Sequence, residues 1–73
     1  MIIDFSRHAR RQMKWRLIAE AEVQETVISP ERIEASVKNR INAFKHVGDK
    51  WLKVTFLSEA DKIIVITVID KNK

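Results

Sequence analysis

The chain reads as an α+β domain of two layers, in the order β-α-α-β-β-β-β, with an antiparallel sheet packed against two N-terminal helices. Three observations predict this. Apolar residues recur at helical spacing as far as Ile28, and beyond Pro30 the period falls to two. Turn signals at Gly48-Asp49 and across Ser58-Glu59-Ala60-Asp61 divide the second half into short runs. The run from Ile63 to Ile69 is apolar on both faces, as in a strand with neighbours on either side. Helix is therefore expected only before Pro30, and strand after it.

The first element, Met1 to Phe5, is short and apolar and suits a strand or an extended lead-in. Ser6 stands where a helix N-cap belongs, its hydroxyl able to accept from a backbone N–H two or three residues on, so a helix starts at Arg7. On that helix Phe5, Ala9 and Met13 form an apolar stripe, with Arg7, Arg10, Arg11 and Lys14 on the opposite side. His8 and Trp15, seven apart, share a flank. Arg16 projects near the middle of the stripe, a poor place for a free charge, so it marks the helix end, pairs with a carboxylate or lines a cleft. A second helix runs from Ala19 to about Ile28, with Val23 and Val27 one turn apart and Glu20 and Glu22 favourably placed in its first turn. Ser29, before Pro30, is pushed out of the helical region and ends it.

From Glu31 the alternation of Ile33, Ala35 and Val37 with Arg32, Glu34, Ser36 and Lys38 predicts a strand with one buried face. In Arg40 to Val47, Ile41, Ala43 and Val47 share a face, which leaves Phe44 on the other. After the Gly48-Asp49 turn, Leu52, Val54 and Phe56 point one way and Trp51, Lys53 and Thr55 the other. Ser58 to Asp61 reads as a polar loop and Asp70 to Lys73 as a frayed tail.

One domain, 1–73, is expected, large enough for a core but only for a shallow groove as a site. With no cysteine and two histidines at unrelated spacings, neither a disulfide nor a metal centre is expected, and no cofactor. No run is apolar enough to span a membrane, and Asp4, Arg7 and His8 stand where a signal sequence has its apolar core, so the expectation is a soluble cytoplasmic protein without a membrane partner. The net charge of +4 is concentrated in the first helix and in Lys38 to Lys53, on either side of Glu20, Glu22 and Glu25. Such a surface favours RNA or DNA, or an acidic protein.

Phe5-Ser6-x-His8-Ala9, then Met13-x-x-Arg16-x-Ile18, a second helix stopped by Pro30 and the closing Val65-Ile66-Thr67-Val68 together resemble an uncharacterised bacterial and archaeal family of very small domains placed near the RelE-like toxins. The resemblance spans nearly the whole chain and implies a RelE-like domain. The better-known relatives in that group cut messenger RNA and are neutralised by an antitoxin. The chain departs from the pattern between the helices. Leu17 stands where glycine is expected and Ala19 where a capping Ser or Thr is expected, which leaves the conformation of the turn open. There is also no tyrosine, and the final strand and tail carry neither Arg nor His, where such toxins place an acid or a phosphate ligand.

Ribonuclease chemistry without a metal needs a base for the 2′-hydroxyl, cations around the developing phosphorane and an acid for the leaving oxygen. His8 and Arg16 are the candidate catalytic pair. Arg7, Arg10, Arg11, Lys14, Lys38, Arg40, Lys45 and Lys53 are the candidate nucleic-acid ligands, and Trp15 and Trp51 can stack on unpaired bases. Each also has a structural reading. His8 can hydrogen-bond at the helix–sheet junction, Arg16 can bridge a glutamate of the second helix, and the tryptophans can pack at the core edge. His46 reads as an ordinary strand residue. Two functions follow: a toxin-like ribonuclease held by an antitoxin, or a non-catalytic module that binds nucleic acid or protein.

Overall fold

The computed structural model describes residues 2–72. Met1 and Lys73, the outer ends of the expected first strand and tail, lie outside the described residues. The elements are β1 (Ile2–Phe5), α1 (Arg7–Arg16), α2 (Glu20–Ile28), β2 (Arg32–Ala35), a 3-10 turn (Val37–Asn39), β3 (Ile41–Val47), β4 (Lys50–Glu59) and β5 (Lys62–Asp70). The expected α+β class and element order hold. The sheet order is β1-β5-β4-β3-β2. An all-antiparallel sheet is corrected, because β1 runs parallel to β5 while the other pairs are antiparallel. The two helices carry the chain from one edge to the other, and three successive reversals bring it back beside β1 in the same direction.

Ser6 does two jobs. Its Oγ accepts the Ala9 N–H (3.0 Å) as the N-cap of α1 and donates to the Ile66 carbonyl (3.0 Å), while its own N–H reaches the Val65 carbonyl (2.8 Å). α1 ends where Leu17 adopts the left-handed conformation (φ 55, ψ 47), with the Ile18 N–H returning to the Met13 carbonyl at 2.9 Å. Leu17 thus takes the conformation expected of glycine, its side chain 84% exposed. Ala19 caps α2 without a side-chain oxygen. The Glu22 carboxylate, three residues on, accepts the Ala19 N–H at 2.9 Å.

Ala9, Met13, Ile18, Val23 and Val27 of the helical layer close on Ala43, Leu52, Val54, Phe56, Ile63, Val65 and Val68 of one sheet face. Each large aliphatic or aromatic side chain buried there contributes roughly 1.5–3 kcal/mol. The register of β4 and β5 slips once: Phe56 faces Val65 and Thr55 faces Thr67, so Ile66 has no opposite number. Its carbonyl is the one the Ser6 hydroxyl satisfies.

β1 pairs with β5 only as far as Val65. Past that point α1 takes over the edge: Ser6 serves Ile66, and Gln12 Oε1 accepts the Val68 N–H at 2.8 Å.

Four expectations change in the second half. The strand from Glu31 to Lys38 shrinks to β2, all four of whose residues are exposed, and Val37 is 70% exposed. α1 lies on β5 and α2 on β3 and β4, so no helix covers β2. The segment then folds into the 3-10 turn, with Lys38 and Asn39 at positive φ, a single helical turn beyond Pro30. Ser58 and Glu59 extend β4 rather than forming a loop, and the turn is Ala60-Asp61 with Ala60 at φ 49. Asp70 is not frayed but 1% exposed, its Oδ1 accepting the Trp51 and Asn72 N–H groups while the Lys71 N–H reaches the Trp51 carbonyl.

Candidate nucleic-acid interface

α1 carries six cationic or imidazole side chains among its ten residues and no carboxylate. Because only Ala9 and Met13 are buried, the helix turns its remaining surface outward. Arg7, His8, Arg11 and Lys14 are all exposed, and none of them makes an ion pair or side-chain hydrogen bond with a described residue. Arg10 is held: its guanidinium bonds Glu20 at 2.8 Å and lies 5.0 Å over the Phe5 ring. Trp15 is 75% exposed. It sits one turn from Arg11 and two from His8, so an aromatic ring stands beside a row of cations.

Two structural alternatives for this helix do not hold. His8 does not bridge helix and sheet, because it lies on the outer flank of α1 in solvent. Trp15 does not pack at the core edge. Arg16 is the last residue of α1, as one expectation had it, and is half-buried; no carboxylate of α2 bridges it among the described residues. It lies on the far side of the helix from Arg7 and Lys14.

The other candidate cations are not gathered at this helix. Lys38 is in the exposed 3-10 turn and Arg40 just after it. Lys45 is tied to α2, donating to the Ser29 carbonyl (2.7 Å) and lying 3.8 Å from Glu25. Lys53 points to the opposite face of the sheet, out of phase with the buried Leu52 and Val54. The acidic run is spent on neutralising neighbours, with Glu20 on Arg10 and Glu22 on Lys50 (3.3 Å). The predicted set is therefore split, and only its α1 members form a continuous surface.

The open sheet face holds a group that the sequence did not bring together. Phe44, on the face away from Ala43 as its spacing predicts, is 2% exposed there, covered by Trp51 (centroids 5.8 Å), by Arg32 (4.7 Å) and by Lys71 (5.7 Å). His46 stacks on Trp51 at 4.0 Å, and its Nδ1 lies 3.1 Å from Glu31 Oε1. The His46 backbone N–H donates to Glu31 Oε2 at 3.0 Å, and these bonds hold the Glu31 carboxyl below its usual pKa. His46 is thus a built contact rather than an ordinary strand position. The cross-strand registers Arg32 to Phe44 and His46 to Trp51 carry this cluster, and neither is visible in residue spacing.

Among the described residues no cluster of His, Asp or Glu is arranged to hold a metal ion, and no helix is long and apolar enough to cross a membrane. A recess at the β4–β5 turn, lined by Ile2, Ser58, Asp61 and Lys62, holds none of the candidate residues. A family model matches residues 5–70, that of the Domain of unknown function (DUF4258). No curated protein and no solved structure matches the chain.

Proposed function

We propose that this chain, which belongs to the DUF4258 family, is a small RNA-binding domain of the RelE-like toxin kind, gripping single-stranded RNA along the outer face of α1. The observation that carries the reading is Trp15, 75% exposed beside Arg11 on a helix with no carboxylate. An aromatic ring left in water one turn from the unpaired Arg11 guanidinium suits an unstacked base and its phosphate. A duplex would offer the same phosphates but no free base face.

The test is binding of a labelled single-stranded RNA as a function of salt. Affinity falls as salt rises, with a logarithmic slope of about −0.7 for each phosphate neutralised. Arg11→Glu with Lys14→Glu removes binding. Binding that ignores salt, or that survives the double substitution, sinks the proposal.

The open position of His8 favours a second reading, in which the same surface cleaves messenger RNA. His8 would act as the base, with Arg11 one turn along as the nearby cation, and an antitoxin would mask the face in the cytoplasm; Arg16, two turns from His8 and half-buried, lies off this surface. Growth arrest on induction, relieved by His8→Ala, separates this reading from pure binding.

A further inference from the structure

We propose that β2 is a self-association edge, at which two copies of this chain pair antiparallel about a dyad through Ile33 and extend the sheet from five strands to ten. β2 is a terminal strand of the sheet, and all four of its residues are exposed. The Ser36 N–H bonds the Arg40 carbonyl at 2.8 Å in the same register that places Glu34 opposite Asn42 and Arg32 opposite Phe44. In an antiparallel ladder the residues that bond inward alternate with those that bond outward. Arg32 and Glu34 therefore face β3 with their backbone groups, and the N–H and C=O of Ile33 and Ala35 point away from the sheet.

Edge strands are commonly blunted by short length, charged side chains, proline or a covering element. β2 is short, but no proline lies within it and no helix covers it. Its two charged residues are of opposite sign, so the strand is neutral, and it carries Ile33, 57% exposed and on the helix side with no helix above it.

The charges also select the register. With the dyad on Ile33, the outward groups of Ile33 bond those of its own copy, and Arg32 stands opposite Glu34 of the second copy twice over. Ile33 then packs on Ile33 and leaves water. With the dyad on Glu34, two glutamates stand opposite each other, a pairing that opposes association. The Arg32 to Glu34 ion pair within one strand does not compete strongly, since both side chains are largely exposed and such pairs contribute little. The partner of β2 is thus a second copy of the same strand in one register. The inference stands on the edge alone and is independent of RNA binding at α1.

The experiment measures mass in solution by sedimentation across a concentration series of the full chain. The native chain shifts from monomer toward dimer. Arg32→Glu and Glu34→Arg, each alone, put like charges opposite one another at two places and stay monomeric. An equimolar mixture of the two single variants associates again, because each supplies the charge the other lacks, and the chain carrying both substitutions self-associates. Arg32 also lies over the Phe44 ring, so circular dichroism and the unfolding midpoint of each variant check that the fold is kept before its mass is read. A native chain that remains monomeric throughout, single variants that still dimerise, or a mixture that does not recover association would each overturn the proposal.

Discussion

The side chain of Gln12, in the middle of α1, accepts the backbone N–H of Val68 at 2.8 Å, joining residues 56 apart in the chain. β1 has already ended at that point, so a helix side chain completes the edge of β5. Gln12→Ala leaves the Val68 N–H without a partner in a part-buried position, at a cost of about 1–3 kcal/mol. The denaturant midpoint falls and the Val68 amide exchanges faster with solvent. RNA affinity stays as it was, since Gln12 is not on the outer face. Unchanged exchange at Val68 would show that the edge is held by something else.

Asp70 gives a second stability test. Its Oδ1 accepts two backbone N–H groups, and its Oδ2 is buried with no hydrogen-bond partner among the described residues. Asp70→Ala strands both donors and lowers stability by about 1–3 kcal/mol. Asp70→Asn keeps an oxygen for both donors, so it is the milder change. Thermal unfolding of the two variants side by side decides this, and an asparagine variant at least as damaged as the alanine one contradicts the account.

The Glu31–His46 contact ties stability to pH. The His46 backbone N–H, then the His46 ring, hold the Glu31 carboxyl below its usual pKa in the folded chain. A carboxyl depressed by folding favours the folded state above its unfolded pKa, and that contribution is lost as pH falls through the folded value. Glu31→Gln should therefore lower the unfolding midpoint at neutral pH, with the gap to the native chain closing in the acid range. A gap that is constant down to low pH would show that the charge of Glu31 has no part in it.

Trp15 and His8 can be changed without harm to the fold, because both lie outside the core. Trp15→Ala should leave the unfolding midpoint in place and weaken single-stranded RNA binding by about 1–3 kcal/mol, the range for one stacked base. Quenching of Trp15 fluorescence on titration with RNA reports the same contact. His8→Ala likewise leaves the midpoint unchanged. If it lowers the midpoint, His8 has a structural partner after all.

The sequence by itself determined the class, the order of elements and the inward residues of α1, β3 and β4. Those rest on local rules: side-chain period, a capping serine, a proline stop and a Gly-Asp turn act within a few residues. It also marked the cationic side of α1, because a helix face follows from spacing alone.

What only the tertiary structure decided depends on which strands lie side by side and how far the helices reach. The parallel pairing of β1 with β5, the use of Gln12 and Ser6 to finish the β5 edge, and the burial of Asp70 are all contacts between distant segments. The alternation of Ile33, Ala35 and Val37 looked like a buried face, yet two helices of ten and nine residues cover β3, β4 and β5 and leave β2 in water. Alternation states that a strand has two faces. Only the packed neighbours determine whether either face is covered.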